Sequence, residues 1–184
     1  RACRLRIPVR SSEGTLAYAQ GFVARAGDQC QVGYLPCTLR TVFTGAFALL
    51  GEPYAWGGSR LGLFGRDCSR FIRDVYAVTG VRLPRNASQQ GAVGIPQAVF
   101  TPEMSDGARR ACLAERVSPG AILVMPGHVM LYLGHLDGEP YVIHDTSAGR
   151  YDGVIVSDLS LGADGPAGSL LRRLTQAVVI GRPA

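Results

Sequence analysis

Apolar residues recur along this chain at two different periods, and the change of period divides it. Between Thr41 and Leu50 they fall at Val42, Phe43, Ala46, Phe47 and Leu50, the spacing of one helix face, and Gly51 supplies a stop. Phe71, Ile72, Val75, Tyr76 and Val78 repeat the pattern in a second helix, closed by Gly80 and followed by Pro84. A glycine-rich loop with Gly57-Gly58, Gly62 and Gly65 joins the two. Beyond residue 120 short apolar or alternating runs predict strands at Ala121–Met125, His128–Leu133, Tyr141–Thr146, Gly153–Ser157 and Gln176–Ile180. Asp137-Gly138 is a turn signal that makes the second and third of these a hairpin. A two-residue loop in unbroken register would set Leu131 opposite His144 and put His128 and His144 on opposite faces. A one-residue shift, through an odd-length loop or a bulge, sets Met130 opposite His144 and brings both histidines to one face. Residues 92–118 show no clear period and are expected to be irregular. Residues 1–37 read as short extended pieces, Leu5–Val9, Ala17–Ala24 and Gln31–Leu35, with a turn at Ser11–Gly14, which predicts part of a small β-barrel. The boundary falls near residue 40, giving units 1–40 and 41–184. Helices first and an antiparallel sheet after them make the class α+β.

Composition narrows the options. The 184 residues suit one domain of about 140 residues plus a small piece. With 47% hydrophobic and 18% charged residues the chain can bury a core, which excludes a disordered polymer. No apolar run reaches the ~18 residues of a membrane-spanning helix. The chain opens on Arg1 with no signal-type apolar segment after it, so a processed protein or a piece of a longer one is expected. All 19 basic residues are Arg and the net charge is +5. Arg1, Arg4, Arg6 and Arg10 cluster, but no aromatic alternates with the arginines in linear order, so no nucleic-acid partner is expected.

Five cysteines, Cys3, Cys30, Cys37, Cys68 and Cys112, leave at least one unpaired within the chain. With no C-x-x-C and no Cys pair at zinc-finger spacing from His128, His135 or His144, no metal site is expected. Cys68, in Asp67-Cys68-Ser69, stands where the glycine-rich loop enters a helix. A helix N-terminus and a nearby protonated histidine both favour a thiolate there. The competing reading is that Asp67 or Ser69 caps the helix and Cys68 fills space. Two histidines on neighbouring strands tip the balance toward an activated sulfur, whereas His135 at the turn is expected to be solvent-exposed.

Gly51-Glu-Pro-Tyr-Ala-Trp-Gly-Gly58, Asp67-Cys-Ser69, Leu83-Pro-Arg85 with Ser88 and Gln90, Gly127-His-Val129 through Tyr132-Leu-Gly134, and Ile143-His144 occur in that order. Together they resemble the NlpC/P60 family of bacterial cell-wall cysteine peptidases over residues 41–180. Residues 1–37, ending in Val32-Gly-Tyr-Leu-Pro36, resemble the close of a bacterial SH3-like barrel. The resemblance implies a papain-like core, with a Cys-bearing helix packed on an antiparallel sheet. It implies Cys68 as nucleophile, His128 as general base and His144 as the residue orienting it. Tyr54 would reach the catalytic centre; Asp67, Ser69 and Ser88 would bind substrate; Trp56 is read as packing only. The implied activity is hydrolysis of peptidoglycan stem peptides or muropeptides, at the bond between γ-D-Glu and a diamino acid, with no cofactor.

Asp67 beside the nucleophile, and an SH3-like piece over the cleft, would favour stems with a free N-terminal L-Ala. Cleavage of the muramyl–L-Ala amide or an acyl transfer are the alternatives on the same residues, and an inactive wall-binding module the alternative of another class. An extracytoplasmic location, periplasmic or secreted, follows from the substrate, with cytoplasmic recycling as the alternative. Two positions depart from the family pattern. Arg70 replaces the usual Gly, where it would narrow the pocket or meet a substrate carboxylate, and Pro119-Gly-Ala121 replaces Pro-Gly-Asp.

Overall fold

The computed structural model describes residues 2–24, 33–58, 65–148 and 150–181. The chain divides into two compact units, Arg1–Leu35 and Pro36–Ala184. The described part of the first unit is one antiparallel pair, β1 (Ala2–Arg10) with β2 (Leu16–Ala24), in unbroken register from Ala2 opposite Ala24 to Arg10 opposite Leu16. Leu5, Ile7 and Val9 share a face with Ala17, Ala19 and Gly21, and Ile7 lies so close over Gly21 that a Cβ there would fall 1.9 Å from it. The opposite face carries Arg4, Arg6 and Arg10 among Tyr18 and Phe22, with the Arg6 guanidinium 4.8 Å from the Tyr18 ring centre. Cross-strand register therefore interleaves arginines with aromatics that linear order kept apart. Gln31, Val32 and Cys30 lie outside the described residues, and Gly33–Leu35 is not a strand. These two strands do not by themselves form the expected barrel.

In the second unit, α1 (Leu39–Phe47) is capped by the Thr38 hydroxyl, which accepts from Thr41 N–H at 3.2 Å, and it buries Val42 and Ala46. α2 (Cys68–Ala77) buries Phe71, Ile72, Val75 and Tyr76, so its apolar stripe faces the sheet. Each such side chain contributes about 1.5–3 kcal/mol by leaving water. α3 (Ala87–Val93), β3 (Ile95–Val99) and α4 (Asp106–Arg116) follow. The sheet is completed by β4 (Ile122–Met125), β5 (His128–Leu136), β6 (Glu139–Thr146), β7 (Gly153–Asp158) and, after the one-turn α5 (Leu170–Arg173), β8 (Gln176–Val179). Its order is β3-β8-β4-β5-β6-β7 and every pairing is antiparallel. Residues 92–118 are thus not irregular: they hold an edge strand and an eleven-residue helix. β3 carries Pro96, which an edge strand tolerates. α4 buries only Leu113 and Arg109, too little apolar signal for a period to show.

Two cores flank the sheet. Val129, Leu131, Ile143 and Val154 pack with α1 and α2 on one face; Met130, Tyr132 and Val142 pack with Leu113 of α4 and with Leu170 and Leu171 of α5 on the other. The β5–β6 hairpin takes the shifted register near its histidines, through a bulge rather than an odd-length loop. Asp137 (φ 52°) and Gly138 (φ 82°) make a two-residue turn with both central residues left-handed. The turn's register holds as far as Gly134 opposite Tyr141, a bulge follows, and Tyr132 then faces Val142 and Leu131 faces Ile143. Gly134, at φ 115°, supplies the backbone conformation the bulge needs.

Candidate active site

Cys68 is presented by a loop that folds on itself through backbone contacts. Tyr54 bridges Arg66, Ala55 N–H donates to Arg66 C=O at 2.6 Å, and Arg66 N–H donates to Pro53 C=O at 3.2 Å. Gly65 is obligatory there, since a Cβ would lie 2.0 Å from Pro53 O. Gly62 of the same loop lies outside the described residues. Asp67 caps α2 by accepting from Arg70 N–H at 2.8 Å. Its two oxygens also accept from Gly57 N–H, the Ser69 hydroxyl and both terminal nitrogens of Arg85, at 2.6 to 3.1 Å. Burial is the largest single influence on this carboxylate and raises it, but the donors of Arg85, Arg70 and Ser69 together hold it below the ordinary value. An incoming ammonium would have to displace one of them. Ser69 is likewise engaged, donating to Asp67 and accepting from Arg85 at 2.8 Å. Arg70 is tied to Asp74 at 2.7 Å.

The Cys68 sulfur lies 4.0 Å from Gly127 O and in reach of the Val129 N–H, the backbone on both sides of His128. β5 pairs with β6 only from Leu131 onward, and Cys68 stands against the free stretch that β5 leaves there. The two imidazoles share the face of Met130, Tyr132 and Val142, as the bulge requires. Cys68 packs with Val129 and Leu131 on the α2 face, and its sulfur approaches β5 at the backbone flanking His128. His128 Nε2 is 2.8 Å from His144 Nδ1, the rings meet edge-on at 74°, and His144 Nε2 is 3.2 Å from the Ser157 hydroxyl.

Electrostatics correct one expectation. Burial pushes the Cys68 thiol up, the Asp67 and Asp145 carboxylates push it further, and the Val129 and Ser69 N–H groups only partly oppose them. Burial lowers both histidines well below the usual histidine range, helped by Arg173 at His128 and by His128 at His144. Burial therefore favours a neutral thiol and neutral imidazoles over the thiolate that the helix N-terminus argues for.

A cleft of about 640 Å³ opens over Cys68, bordered by Trp56, Asp67, Ser69, Arg85 and Ser88. Tyr54 stands within electrostatic reach of Cys68, Asp67 and Asp145, and its hydroxyl is bonded to the side chain of Ser147. Ser88 is exposed at the start of α3. Trp56 is 84% exposed on the cleft rim, so it is not a packing residue. His135 is exposed near the turn, as expected of it, and bonds the Tyr132 hydroxyl at 2.6 Å. Sequence reading missed the Arg85–Asp67 pair, whose partners lie 18 residues apart. It also missed the role of the buried Gln90, which donates to Ser69 C=O and Pro84 C=O at 2.8 and 2.9 Å; the Leu-Pro-Arg…Gln order was the available signal. Among the described residues Cys3, Cys37, Cys68 and Cys112 are free, and no group of three or more His, Cys, Asp or Glu is placed to hold a metal.

Comparison with known proteins adds sequence and fold. The family model described as the NlpC/P60 family matches residues 51–162. A gamma-D-glutamyl-L-lysine dipeptidyl-peptidase of Bacillus subtilis is 45% identical over 51 residues, which is 28% of this chain and 16% of that protein. The bifunctional muramidase/DL-endopeptidase CwlT of the same organism is 44% identical over 50 residues, 27% of this chain and 15% of its own. An NlpC/P60 family protein of Bacillus cereus shares the fold with a TM-score of 0.57 at 21% identity, covering 93% of this chain and 49% of that one. The peptidoglycan hydrolase RipB of Mycobacterium tuberculosis superposes with a TM-score of 0.52 at 23% identity, covering 78% and 65%.

Proposed function

Because the chain belongs to the NlpC/P60 family, we propose that it is a cysteine endopeptidase of peptidoglycan stem peptides, cutting between γ-D-Glu and a diamino acid such as meso-diaminopimelate. Residues 41–184 are the papain-like peptidase domain in this reading, and residues 1–40 an SH3-like segment. The protein acts where its substrate lies, outside the cytoplasm. No described helix is long and apolar enough to cross a membrane.

The observation that carries the reading is the line from Cys68, against the backbone flanking His128, to the 2.8 Å His128–His144 contact. His128 is a base at Nδ1 in the tautomer whose Nε2–H donates to His144 Nδ1, with His144 Nε2–H donating to Ser157. His128 then takes the Cys68 proton as sulfur attacks the carbonyl carbon. The developing oxyanion is met by N–H groups at the start of α2 and by the Tyr54 hydroxyl. The C–N bond breaks as His128 returns the proton to the leaving amine, and a thioester remains. Water, deprotonated by His128, attacks the thioester and releases the acid and the thiol. Burial of His128 favours this order, since a neutral imidazole is ready to accept a proton at neutral pH. Of the three substrate-binding candidates, Ser88 has no committed hydroxyl among the described contacts, whereas Asp67 and Ser69 shape the wall through Arg85.

Mass spectrometry of L-Ala-γ-D-Glu-diaminopimelate and of muropeptides after incubation tests the proposal. Free diaminopimelate with L-Ala-γ-D-Glu is the expected product, absent with Cys68→Ala. Release of stem peptide from muramic acid would favour the amidase, and no product from either substrate would leave a binding module.

A further inference from the structure

Adjacent residues of β6 send two ionisable side chains to opposite faces of the sheet. His144 joins His128, while Asp145 turns to the face of Ile143 and α2. Asp145 is fully buried, and neither carboxylate oxygen has a hydrogen-bond donor among the described residues. A buried carboxylate left without donors is costly when charged. Its charged and titratable surroundings come from four places. Asp67 and Cys68 lie at the start of α2, Tyr54 and Arg66 on the bridged loop, Asp152 just before β7, and His144 on its own strand but on the other face. Arg66 is the one cation among them, and it is ion-paired with Glu52 and with Asp74.

We propose that Asp145 is a positioning residue of the catalytic centre that governs, through its own protonation, how readily Cys68 releases its proton. A neutral Asp145 lets the neighbouring thiolate form; an ionised Asp145 opposes it. The role rests on Cys68 as the nucleophile and is independent of which bond is cut. Burial, with Asp67 and Asp152 adding to it and Arg66 opposing, pushes Asp145 up to about 7, so its charge changes within the working range of a hydrolase. The same carboxylate is one of the groups that push the Cys68 thiol up. The two titrations are therefore coupled, and each belongs to the pair.

The test is the rate of Cys68 alkylation by iodoacetamide from pH 5 to 9 on the full chain, with the modified residue identified by peptide mass spectrometry. In wild type the rate should climb with pH, bend near pH 7 as Asp145 ionises, and climb again. Asp145→Asn should remove the bend and alkylate about three- to tenfold faster at pH 8, since each tenfold in thiolate fraction reflects one pH unit of displacement. Superimposable profiles for the two proteins would overturn the proposal. So would a wild-type profile that follows a single group, a reading that does not depend on the variant folding. Alkylation needs no peptide substrate, so failure to cut stem peptides would count against the proposed function alone.

Discussion

Arg85 and Asp67 form an ion pair directly beside Cys68, the proposed nucleophile. Removing Arg85 strips two of five donors from a nearly buried carboxylate, at 34% and 8% side-chain exposure. Arg85→Ala should cost about 1–3 kcal/mol of stability, toward the lower end because Arg85 is partly solvated. It should also lower kcat by loosening the loop that carries Cys68. A denaturant melt and a peptide assay check both, and an unchanged kcat would reduce Arg85 to a surface ion pair. In the proposed mechanism His128 is the base, and His128→Ala should lower kcat by about 10²–10⁴-fold. His144→Ala should lower it less, because the base remains and only its orientation is lost. The same kinetic assay ranks the two, and an equal or larger loss at His144 would reverse the roles.

Among the elements, the β5–β6 hairpin and α4 carry the least visible requirements. Gly134 holds φ 115° at the bulge, and a Cβ there would lie 3.4 Å from Pro119 Cγ. Gly134→Ala should cost about 1–3 kcal/mol and reduce activity with it, because relaxing the bulge moves His128 relative to His144. Thermal melting with kcat is the measurement, and full activity in the variant would show that the bulge is not needed for the histidine pair. In α4 the buried Arg109 donates to four carbonyls, of Thr101, Met104, Leu171 and Leu174. Arg109→Met leaves those acceptors without their donor and should destabilise the fold by at least about 2 kcal/mol. A near-neutral result in a urea melt would mean that water replaces the guanidinium. The helix is thus anchored by a charge, and a hydrophobic-period scan of its sequence has almost nothing to find.

For the molecule as a whole, buried ionisable groups set a pH profile of stability with two opposed contributions. His128 and His144 are lowered in the folded state, so the unfolded chain binds more protons below about pH 6.5, and their contribution is lost as pH falls through that range. Asp145 is raised to about 7, so the folded chain binds the extra proton between about pH 4 and 7, and stability falls as pH rises across that window. Between about pH 4.5 and 6.5 the one carboxylate offsets about half of what the two histidines contribute in wild type. Asp145→Asn should expose the histidine contribution alone, with Tm rising steeply from pH 4.5 to 6.5 and then levelling. Calorimetry of both proteins across that range checks it, and parallel curves would show that Asp145 is not raised.

Local chemistry is what the amino-acid order determined by itself: two amphipathic helices with their glycine stops, five strands of the sheet, a turn at Asp137-Gly138, and Cys68 at a loop-to-helix junction. Each rests on neighbours within a few residues, where periodicity and turn propensity act. The ordered motifs also carried the family, because their residue types and sequence survive without a structure. Partnership across the chain was decided by tertiary structure alone. The bulge shifted the register that the two-residue turn had set. Cross-strand pairing set arginines among aromatics in β1 and β2. Asp67 acquired Arg85 as a partner 18 residues away, and Trp56 was left on the rim. The charge state of the centre belongs to the same class: a helix N-terminus argues locally for a thiolate, but desolvation of Cys68 and the nearby carboxylates outweigh it. Burial and long-range pairing depend on what the rest of the chain places alongside a residue.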